Sequence, residues 1–528
     1  MSSKQSQITT PATNHRVPRS FALRTQTAAH DAFIPAPPQI DNGDEASYAD
    51  KSGTYTKGIL QTGIGLVDLA AYHSFKKALN SGDPADFESI VLGGPRTQNG
   101  PQGGLAFDLG CLDNSQFTAP PAPALASEEY ATELVELYWA SLLRDIAFTD
   151  YAANPVAIQA ASELSAMPSY KGPRGASNKV TPGLLFRGGF SGETIGPYLS
   201  QFLLKSTCMG ALPIQQQYTT FKKNLDYMLD KVTFLQVQNG IATGLSLQAD
   251  IPLFLHNGRG LAAYTHNDVL YQAYFTAYLV LRTINGINCA IADESAPLNP
   301  GNPYNTSKTQ NGFNTFGPPD IASTFAAVAS EALKAVWFQK WYVHLRHRPE
   351  SGGAIVYLIK TGQGGSIEGQ VSPTVLNSQA VQSAFTTNAS YFLSQAFPEG
   401  SPTHPAYPTG HGTVAGACIT VLKFFFDGDF VIPNPQMPSS DGTTLNSYTG
   451  SDAGQISVNG ELHKLAHNIS FGHGIHAGIH WRSDTDSSIQ LGEEVALSVL
   501  RDRAHTYNEK FTVKLTKLNG SIATISNQ

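Results

Sequence analysis

The sequence predicts a mainly α-helical protein with long loops and one short β-hairpin at its C-terminal end. β-Forming residues alternate on both sides of Asn519-Gly520, the strongest short signal for a hairpin. Pro319 and Asp320 precede a long apolar segment and fit the start of a helix. Apolar residues at spacings of three and four, typical of helices with one buried face, recur in EEYATELVELYWASLLRDIAF, HNDVLYQAYFTAYLVLRTI and IASTFAAVASEALKAVWFQKWYVHLR.

The chain divides into an N-terminal arm and one large domain. Residues 1–50 are rich in Ser, Thr, Gln, Ala and Pro without periodicity, so we expect an extended arm that lies on the body or on a partner subunit. With 41% hydrophobic residues, residues 51–528 can bury a large core. We expect a single helical domain there, with its active-site half at about residues 320–510.

The composition excludes several classes of partner. Only 14% of the residues are charged and the net charge is -7, so the chain lacks the basic stripe of a nucleic-acid-binding protein. The first residues, MSSKQSQITTPATNHR, lack the apolar run of a signal peptide, and charges such as Lys334 and Lys423 interrupt apolar stretches elsewhere. We therefore expect a soluble protein without a membrane segment, either cytoplasmic or in a compartment that the sequence does not specify.

The four cysteines suggest neither a disulfide framework nor a thiolate metal site. They are far apart in the chain and form no CxxC pair. We expect each to be an inert buried thiol. The positions are Cys111, Cys208, Cys289 and Cys418.

A first group of candidate residues lies in KWYVHLRHRP, which runs from Lys340 to Pro349. Cations in the last turn of a helix are favoured by the helix dipole alone, which is one interpretation of this group. Lys340 and Arg348 are eight residues apart, a separation of about 80° around a helix axis. On one helix they would converge on a single anion.

A second group is HPAYPTGHGTVAG, residues 404–416, which leads into an apolar helical segment. Thr409 and Gly410 would place a hydroxyl and accessible N–H groups at a helix N-terminus, a favourable position for an anion. A threonine there is also an ordinary N-cap residue. His411 would then lie beside a bound anion as a titratable group.

A third group, SFGHGIHAGIHWRSD, contains His473, His476 and His480, followed by Asp484. The interleaved glycines argue against a continuous helix and predict a bent backbone. A neutral imidazole can bind a metal while a carboxylate holds its second nitrogen. Asp484, four residues after His480, is placed for that role.

The order Lys…Arg-Pro, Pro-Thr-Gly-His and His-x-x-x-Asp resembles the vanadium-dependent haloperoxidases and the related phosphatidic-acid-phosphatase-type acid phosphatases. The separation of Lys340 from Arg348 and the ending HLRHRPE are similar to the algal-type bromoperoxidases. Further similar strings, NGDE, YTKG, GPYLSQFLL and VQNG, extend the resemblance over most of the chain. It implies a large helical-bundle haloperoxidase fold that forms homo-oligomers.

The resemblance implies a vanadate cofactor and roles for the first two groups. Lys340, Arg348 and the Gly410 N–H would hydrogen-bond the vanadate oxygens. Thr409 stands where the family usually has serine, and it keeps the hydroxyl. The cations would also serve catalysis, because they draw charge from the peroxide oxygens.

The same resemblance assigns the metal ligand and the halide side. His480 would be the axial vanadium ligand, supported by Asp484, and His411 would handle the protons of peroxide. Trp337 and His404 fall on positions similar to the family's halide-pocket residues. From spacing alone, Trp337 is about as well explained as part of a helix core.

One departure from the family concerns charge. The family has an arginine six residues before the axial histidine, and here that position is Gly474. The local string is one residue longer, so His473 or His476 would take the arginine's place. Either is cationic only below its pKa, near 6.5 when unperturbed, so vanadate binding should depend more steeply on pH.

The implied reaction uses hydrogen peroxide to oxidise bromide or iodide to a hypohalous-acid equivalent, which halogenates small organic acceptors. An acid phosphatase on the same scaffold is the first alternative, with His480 as nucleophile and His411 as general acid. A zinc-binding or structural protein is the second, because His473, His476 and His480 suffice for a zinc site. The nearby lysine and arginines disfavour a bound cation.

Overall fold

The computed structural model describes residues 14–286, 289 and 295–528. Most of its regular elements are helices, which confirms the predicted fold class. The α-helices are α1 (Arg16–Ala32), α2 (Asp44–Ser47), α3 (Leu69–Ser81), α4 (Pro84–Phe87), α5 (Glu128–Leu143), α6 (Pro155–Ser165), α7 (Lys231–Gln238), α8 (Gly258–His266), α9 (Gln272–Arg282), α10 (Pro318–Phe338), α11 (Pro349–Lys360), α12 (Pro373–Leu376), α13 (Gln379–Asn388), α14 (Gly410–Phe425), α15 (Val458–Phe471) and α16 (Arg482–Ala504).

The strands of the described residues form short antiparallel pairs, and the C-terminal pair packs on the helical core. The C-terminal pair is the predicted hairpin, in which Ile522 pairs with Thr516 and Gly520 has a φ of 82° at the turn. The pairs are β1 (Gln61–Gly63) with β2 (Leu66–Val67), β3 (Thr207–Met209) with β4 (Leu212–Ile214), β5 (Tyr218–Phe221) with β6 (Ala249–Leu253), β7 (Gln436–Pro438) with β8 (Leu445–Ser447), and β9 (Thr512–Thr516) with β10 (Ile522–Ser526).

Helices α10, α14, α15 and α16 pack against one another in the core. Two glycines allow α14 and α16 to approach closely. A Cβ at Gly416 would lie 1.9 Å from the carbonyl oxygen of Ile489, and one at Gly492 would lie 1.9 Å from that of Thr413. This contact brings the start of α14 beside the start of α16, where the second and third candidate groups lie.

Helix α10 does not continue to Arg348. It runs into a π-helical turn, Gln339–His344, and ends at Leu345, which has a φ of 45°. Arg348 is the N-cap residue of the next helix, α11. The prediction that one helix presents Lys340 and Arg348 is therefore wrong; a sharp turn brings them together. Asp320 lies inside α10 and accepts the N–H of Phe316.

The segment Pro318–His344 is long and apolar enough to cross a membrane by length and composition alone. It is the one such helix in the described part of the chain. Core helices of soluble proteins meet the same criterion, and α10 packs against α14 and α16. The segment is explained as a core helix.

The N-terminal arm is helical in part. In place of an extended chain, residues 16–32 form α1, and no residue of this helix is buried. Gln116 anchors the end of the helix, because its Nε2 donates to the carbonyl oxygens of Asp31 and Ile34 at 2.8 and 2.6 Å. The rest of α1 lies at the surface, and most of its residues are exposed.

The expectation for the cysteines is wrong for two of them. Cys208 and Cys289 form a disulfide across 81 residues of sequence. Cys111 and Cys418 are free. The sequence could not reveal the pair, because the packing of β3 against α9 brings these distant positions together.

Candidate active site

His480 is held by a carboxylate on one side. Its Nδ1 lies 2.9 Å from Oδ2 of Asp484, whose Oδ1 accepts a hydrogen bond from Arg346 at 2.7 Å. Since the carboxylate requires the proton on Nδ1, Nε2 carries the lone pair. Burial and the nearby Arg348 hold the pKa of His480 well below its usual value. The ring is therefore neutral, as a metal ligand must be.

Arg348 lies beside the unprotonated ring nitrogen of His480. Its Nη1 lies 2.8 Å from Nε2 of His480, and its Nε donates to the carbonyl oxygen of His404 at 2.9 Å. The guanidinium is fully buried, and burial lowers its pKa to about 10. Asp484, the carboxylate that contributes most to keeping this group charged, is already paired with Arg346. Arg348 thus presents a positive charge that an anion can balance.

Lys340 adds a second cation. Its Nζ donates to the carbonyl oxygens of Pro405 and Ala406, both at 2.8 Å. An ammonium group has three donors, so one N–H remains for a ligand. Burial and Arg348 hold the pKa of Lys340 well below its usual value. An anion bound beside both groups would favour the charged amine.

The start of α14 supplies donors without partners. Thr409 is the N-cap residue, yet its side chain makes no capping hydrogen bond. Its Oγ1 is buried and has no hydrogen-bond partner among the described residues. An unsatisfied buried hydroxyl costs about 1–3 kcal/mol, and an oxyanion at this helix N-terminus would satisfy it together with the Gly410 N–H. These residues fit an oxyanion cofactor.

His411 has a carboxylate partner that the sequence did not reveal. Its Nε2 lies 3.1 Å from Oδ1 of Asp268. The helix predicted for HNDVLYQAYFTAYLVLRTI begins only at Gln272, where α9 starts, and Asp268 lies in the break between α8, which ends at His266, and α9. His411 is slightly exposed, unlike His480. A carboxylate-held imidazole at the accessible side of the cluster is suited to proton transfer.

The third group does not continue as a regular α-helix. Gly472–His476 forms a π-helical turn, which accommodates one extra residue in a helix. A Cβ at Gly474, six residues before His480, would lie 3.0 Å from the Cβ of His480, so this position leaves little room for a side chain.

The two candidate replacements for that arginine lie in different places. The ring of His473 stacks on His411 at 3.8 Å between centroids and lies 5.6 Å from the His480 ring. His476 is buried elsewhere, with its Nε2 3.0 Å from the hydroxyl of Tyr198. The structure brings His473 into the cluster and leaves His476 out. It also removes the basis for a zinc site, because the three histidines do not converge.

Trp337 and His404 form one wall. Their rings lie 4.8 Å apart, and the Trp337 Nε1 donates to the carbonyl oxygen of Asn99 at 3.0 Å. A Cβ at Gly410 would lie 3.2 Å from the Trp337 ring, so this indole packs directly on the start of α14. Trp337 therefore lies against His404 and the start of α14 as well as within the packing of α10.

The sequence analysis also did not predict a buried ion-pair network next to the site. Arg346 bridges Asp484 and Glu133, with Nη2 2.9 Å from Oε2 of Glu133. All three side chains are almost inaccessible to solvent. The string HLRHRP contained a signal, a second arginine before the proline, but no spacing rule connects it to α5. Together, the helical-bundle fold and the site define a class of protein in which buried cations and a helix N-terminus surround a neutral histidine, an arrangement suited to an oxyanion.

Comparison with known proteins agrees with this class. Residues 321–509 match a family model described as the VCPO second helical-bundle domain. The vanadium-dependent bromoperoxidase of Corallina officinalis is 30% identical over 97% of this chain and 99% of its own. That of Ascophyllum nodosum is 30% identical over 96% of this chain and 92% of its own.

The solved structure of the homohexameric vanadate-dependent bromoperoxidase AnII of Ascophyllum nodosum has a TM-score of 0.90. It is 25% identical and covers 99% of this chain and 94% of its own. The chain belongs to the vanadium-dependent bromoperoxidase family. This confirms the predicted family and supports the vanadate-dependent haloperoxidase interpretation over the acid phosphatase alternative.

Proposed function

We propose that this protein is a vanadate-dependent bromoperoxidase whose cofactor binds between His480, Arg348, Lys340 and the start of α14. One observation carries the proposal: the lone pair of His480 lies 2.8 Å from a buried guanidinium. A simple divalent metal would be repelled by Arg348 and Lys340. An oxyanion with a metal at its centre suits both the imidazole ligand and the cations.

Each residue then has a definite task. His480 would bind the vanadium, and Asp484 would fix the tautomer that makes this possible. Arg348, Lys340 and the Gly410 N–H would hold the oxygens. Thr409 would donate its free hydroxyl to one of them. His473 would occupy the place of the family's arginine, while His476 would take no part.

Bound vanadate supplies Lewis-acid activation of hydrogen peroxide toward a halide ion. His411 would accept and return the protons of peroxide, oriented by Asp268. Trp337 and His404 would bound the halide side of the pocket. The substrates would be peroxide with bromide or iodide, and the hypohalous-acid equivalent would halogenate small organic acceptors.

The proposed active site belongs to one large domain of an oligomeric protein. Residues 320–510 would form the active-site half of a single domain that spans residues 51–528. Asp268 and Glu133, from outside that half, would complete the site. By analogy with the homohexameric relative, we propose a homo-oligomer.

The Cys208–Cys289 disulfide bears on the compartment. Disulfides persist in oxidising compartments and are rare in the cytosol. We therefore propose that the protein works outside the reducing cytosol, contrary to the cytoplasmic alternative raised by the sequence.

Reconstitution tests the activity. Vanadate-free protein is assayed with and without added orthovanadate, for bromination with peroxide and bromide and, in parallel, for aryl-phosphate hydrolysis. The proposal predicts bromination that requires vanadate, with phosphate hydrolysis at background. Hydrolysis by the vanadate-free protein without vanadate-dependent bromination would identify an acid phosphatase.

A further inference from the structure

Within the described residues, the N-terminal helix α1 makes few contacts with its own chain apart from those of Gln116 at its end. None of its 17 residues is buried, and Val17 and Phe21 are 82% and 72% exposed. An isolated helix of this length is marginal in water, because most helical stability in proteins comes from packing. We therefore expect further contacts that stabilise α1 to come from another molecule.

A cleft of about 1400 Å³ separates α1 from the body of the protein. Arg16, Arg19 and Leu23 lie on its helix side, and the loop with Phe107 and Leu109 lies on its body side. Phe107 is 84% exposed and Leu109 is fully exposed. A helix of 17 residues is about 25 Å long and about 10 Å wide, so most of a second such helix fits in this space.

The charges of the arm and of the body are complementary. The first 40 residues contain four Lys or Arg and one Asp, although the whole chain has a net charge of -7. Arg16, Arg19 and Arg24 are exposed and form no ion pair within the described residues. The body side of the cleft carries Asp108, Asp113 and Asp502 beside Arg503 and His505; Asp108 is paired with Lys334, and Arg503 with Asp320. A basic helix is attracted to such a surface.

We propose that α1 is an exchanged arm: in the oligomer, α1 of each subunit packs into the cleft of a second copy of this chain. Each subunit offers both a helix and a cleft, so it can donate its own α1 and accept that of another copy. The insertion covers Val17 and Phe21 against the exposed loop with Phe107 and Leu109. It also places basic side chains beside the acidic body.

A second copy fits this helix better than a membrane does. The apolar stripe of α1 consists of Val17, Phe21, Ala28 and Ala32, and only two of these side chains are large. Helices that lie in a membrane surface bury a wider apolar face. The acidic body would also be repelled by anionic lipid.

The exchanged arm rests on the proposed homo-oligomer, and the test separates the two. Full-length wild type, Phe21→Asp and the control Phe313→Asp are compared by sedimentation velocity over a dilution series. Phe313 is 67% exposed and does not line the cleft. We expect the wild type and the control to sediment alike, and Phe21→Asp to dissociate at concentrations at least tenfold higher. Unchanged vanadate binding by Phe21→Asp would show that it is folded.

A second variant tests the charged side independently. Arg19→Glu should also weaken assembly, more at low salt than at high salt. An oligomeric wild type with both variants unchanged would overturn the exchanged arm alone. A monomeric wild type would overturn the homo-oligomer as well, and binding of that monomer to phosphatidylserine vesicles would assign α1 to a membrane surface.

Discussion

Asp484 lies 2.9 Å from His480 and orients this imidazole from a fully buried position. Its other oxygen is held by Arg346 at 2.7 Å, so the carboxylate is fixed at both ends. This pairing leaves the Nε2 lone pair of His480 beside Arg348. The unprotonated nitrogen of His480 and the buried guanidinium of Arg348 therefore lie next to each other, where one oxyanion would contact both.

Removal of the Thr409 hydroxyl should separate binding from stability. In Thr409→Val, loss of an unsatisfied buried hydroxyl should leave the free energy of unfolding of the vanadate-free protein unchanged, or raise it by up to about 1 kcal/mol. Vanadate affinity should fall about tenfold, because one charge-assisted hydrogen bond is lost. Urea unfolding and equilibrium dialysis measure the two effects.

Thr420→Val is the matched control for Thr409→Val. Thr420 lies on the same helix and is equally buried, but its hydroxyl donates to the carbonyl oxygen of Gly416 at 2.7 Å. This variant should lose stability and keep its vanadate affinity. A lower stability of Thr409→Val with unchanged affinity would show that its hydroxyl serves the fold and not the ligand.

His473 and His476 should differ in their effect on the pH dependence of vanadate binding. Burial and neighbouring groups hold the pKa of His473 well below 6.5, so its ring is neutral in the free protein at pH 7. A bound anion favours the charged ring, so binding takes up a proton and affinity falls as pH rises. We expect a flatter affinity profile between pH 5.5 and 7.5 for His473→Gln. A His473→Gln profile that overlays wild type would refute this role, and His476→Gln should match wild type.

Asp268 should affect turnover more than cofactor binding. Asp268→Asn leaves His411 without its carboxylate, and we expect kcat for bromide to fall about 10- to 100-fold with vanadate affinity within about threefold of wild type. Glu399→Gln is the control, since Glu399 pairs with His266 outside the cluster. Equal losses of kcat in both variants would contradict a specific role for Asp268.

The disulfide should contribute substantially to stability. A cross-link that closes a loop of 81 residues restricts the unfolded chain by about 4–5 kcal/mol. We expect the double variant Cys208→Ser, Cys289→Ser to unfold at clearly lower urea concentration than wild type without reductant, while Cys111→Ser changes little. An identical unfolding midpoint for the double variant would show that the bond is absent from the purified protein.

Helix periodicity and three short motifs were enough to predict the fold class and most of the clustered residues. Local patterns carry that information, because a helix N-terminus or a His-x-x-x-Asp turn is specified by adjacent residues. The positions of Asp268, Glu133 and Cys289 depend on contacts between distant segments, which one sequence does not encode visibly.

The choice between His473 and His476 also required the structure. From the sequence, either histidine could take the place of the family's arginine. The π-helical turn at Gly472–His476 determines that the ring of His473 faces His411. The turn at Leu345 was missed for a related reason. A residue with positive φ other than glycine gives little warning in the sequence.

The most direct test of the account is vanadate binding by His480→Ala, measured by equilibrium dialysis alongside wild type and His476→Gln. We predict about one vanadate per wild-type chain, the same for His476→Gln, and a loss of affinity of at least 100-fold for His480→Ala, with no bromination. Wild-type affinity in a folded His480→Ala protein would contradict the assignment of His480 as the vanadium ligand.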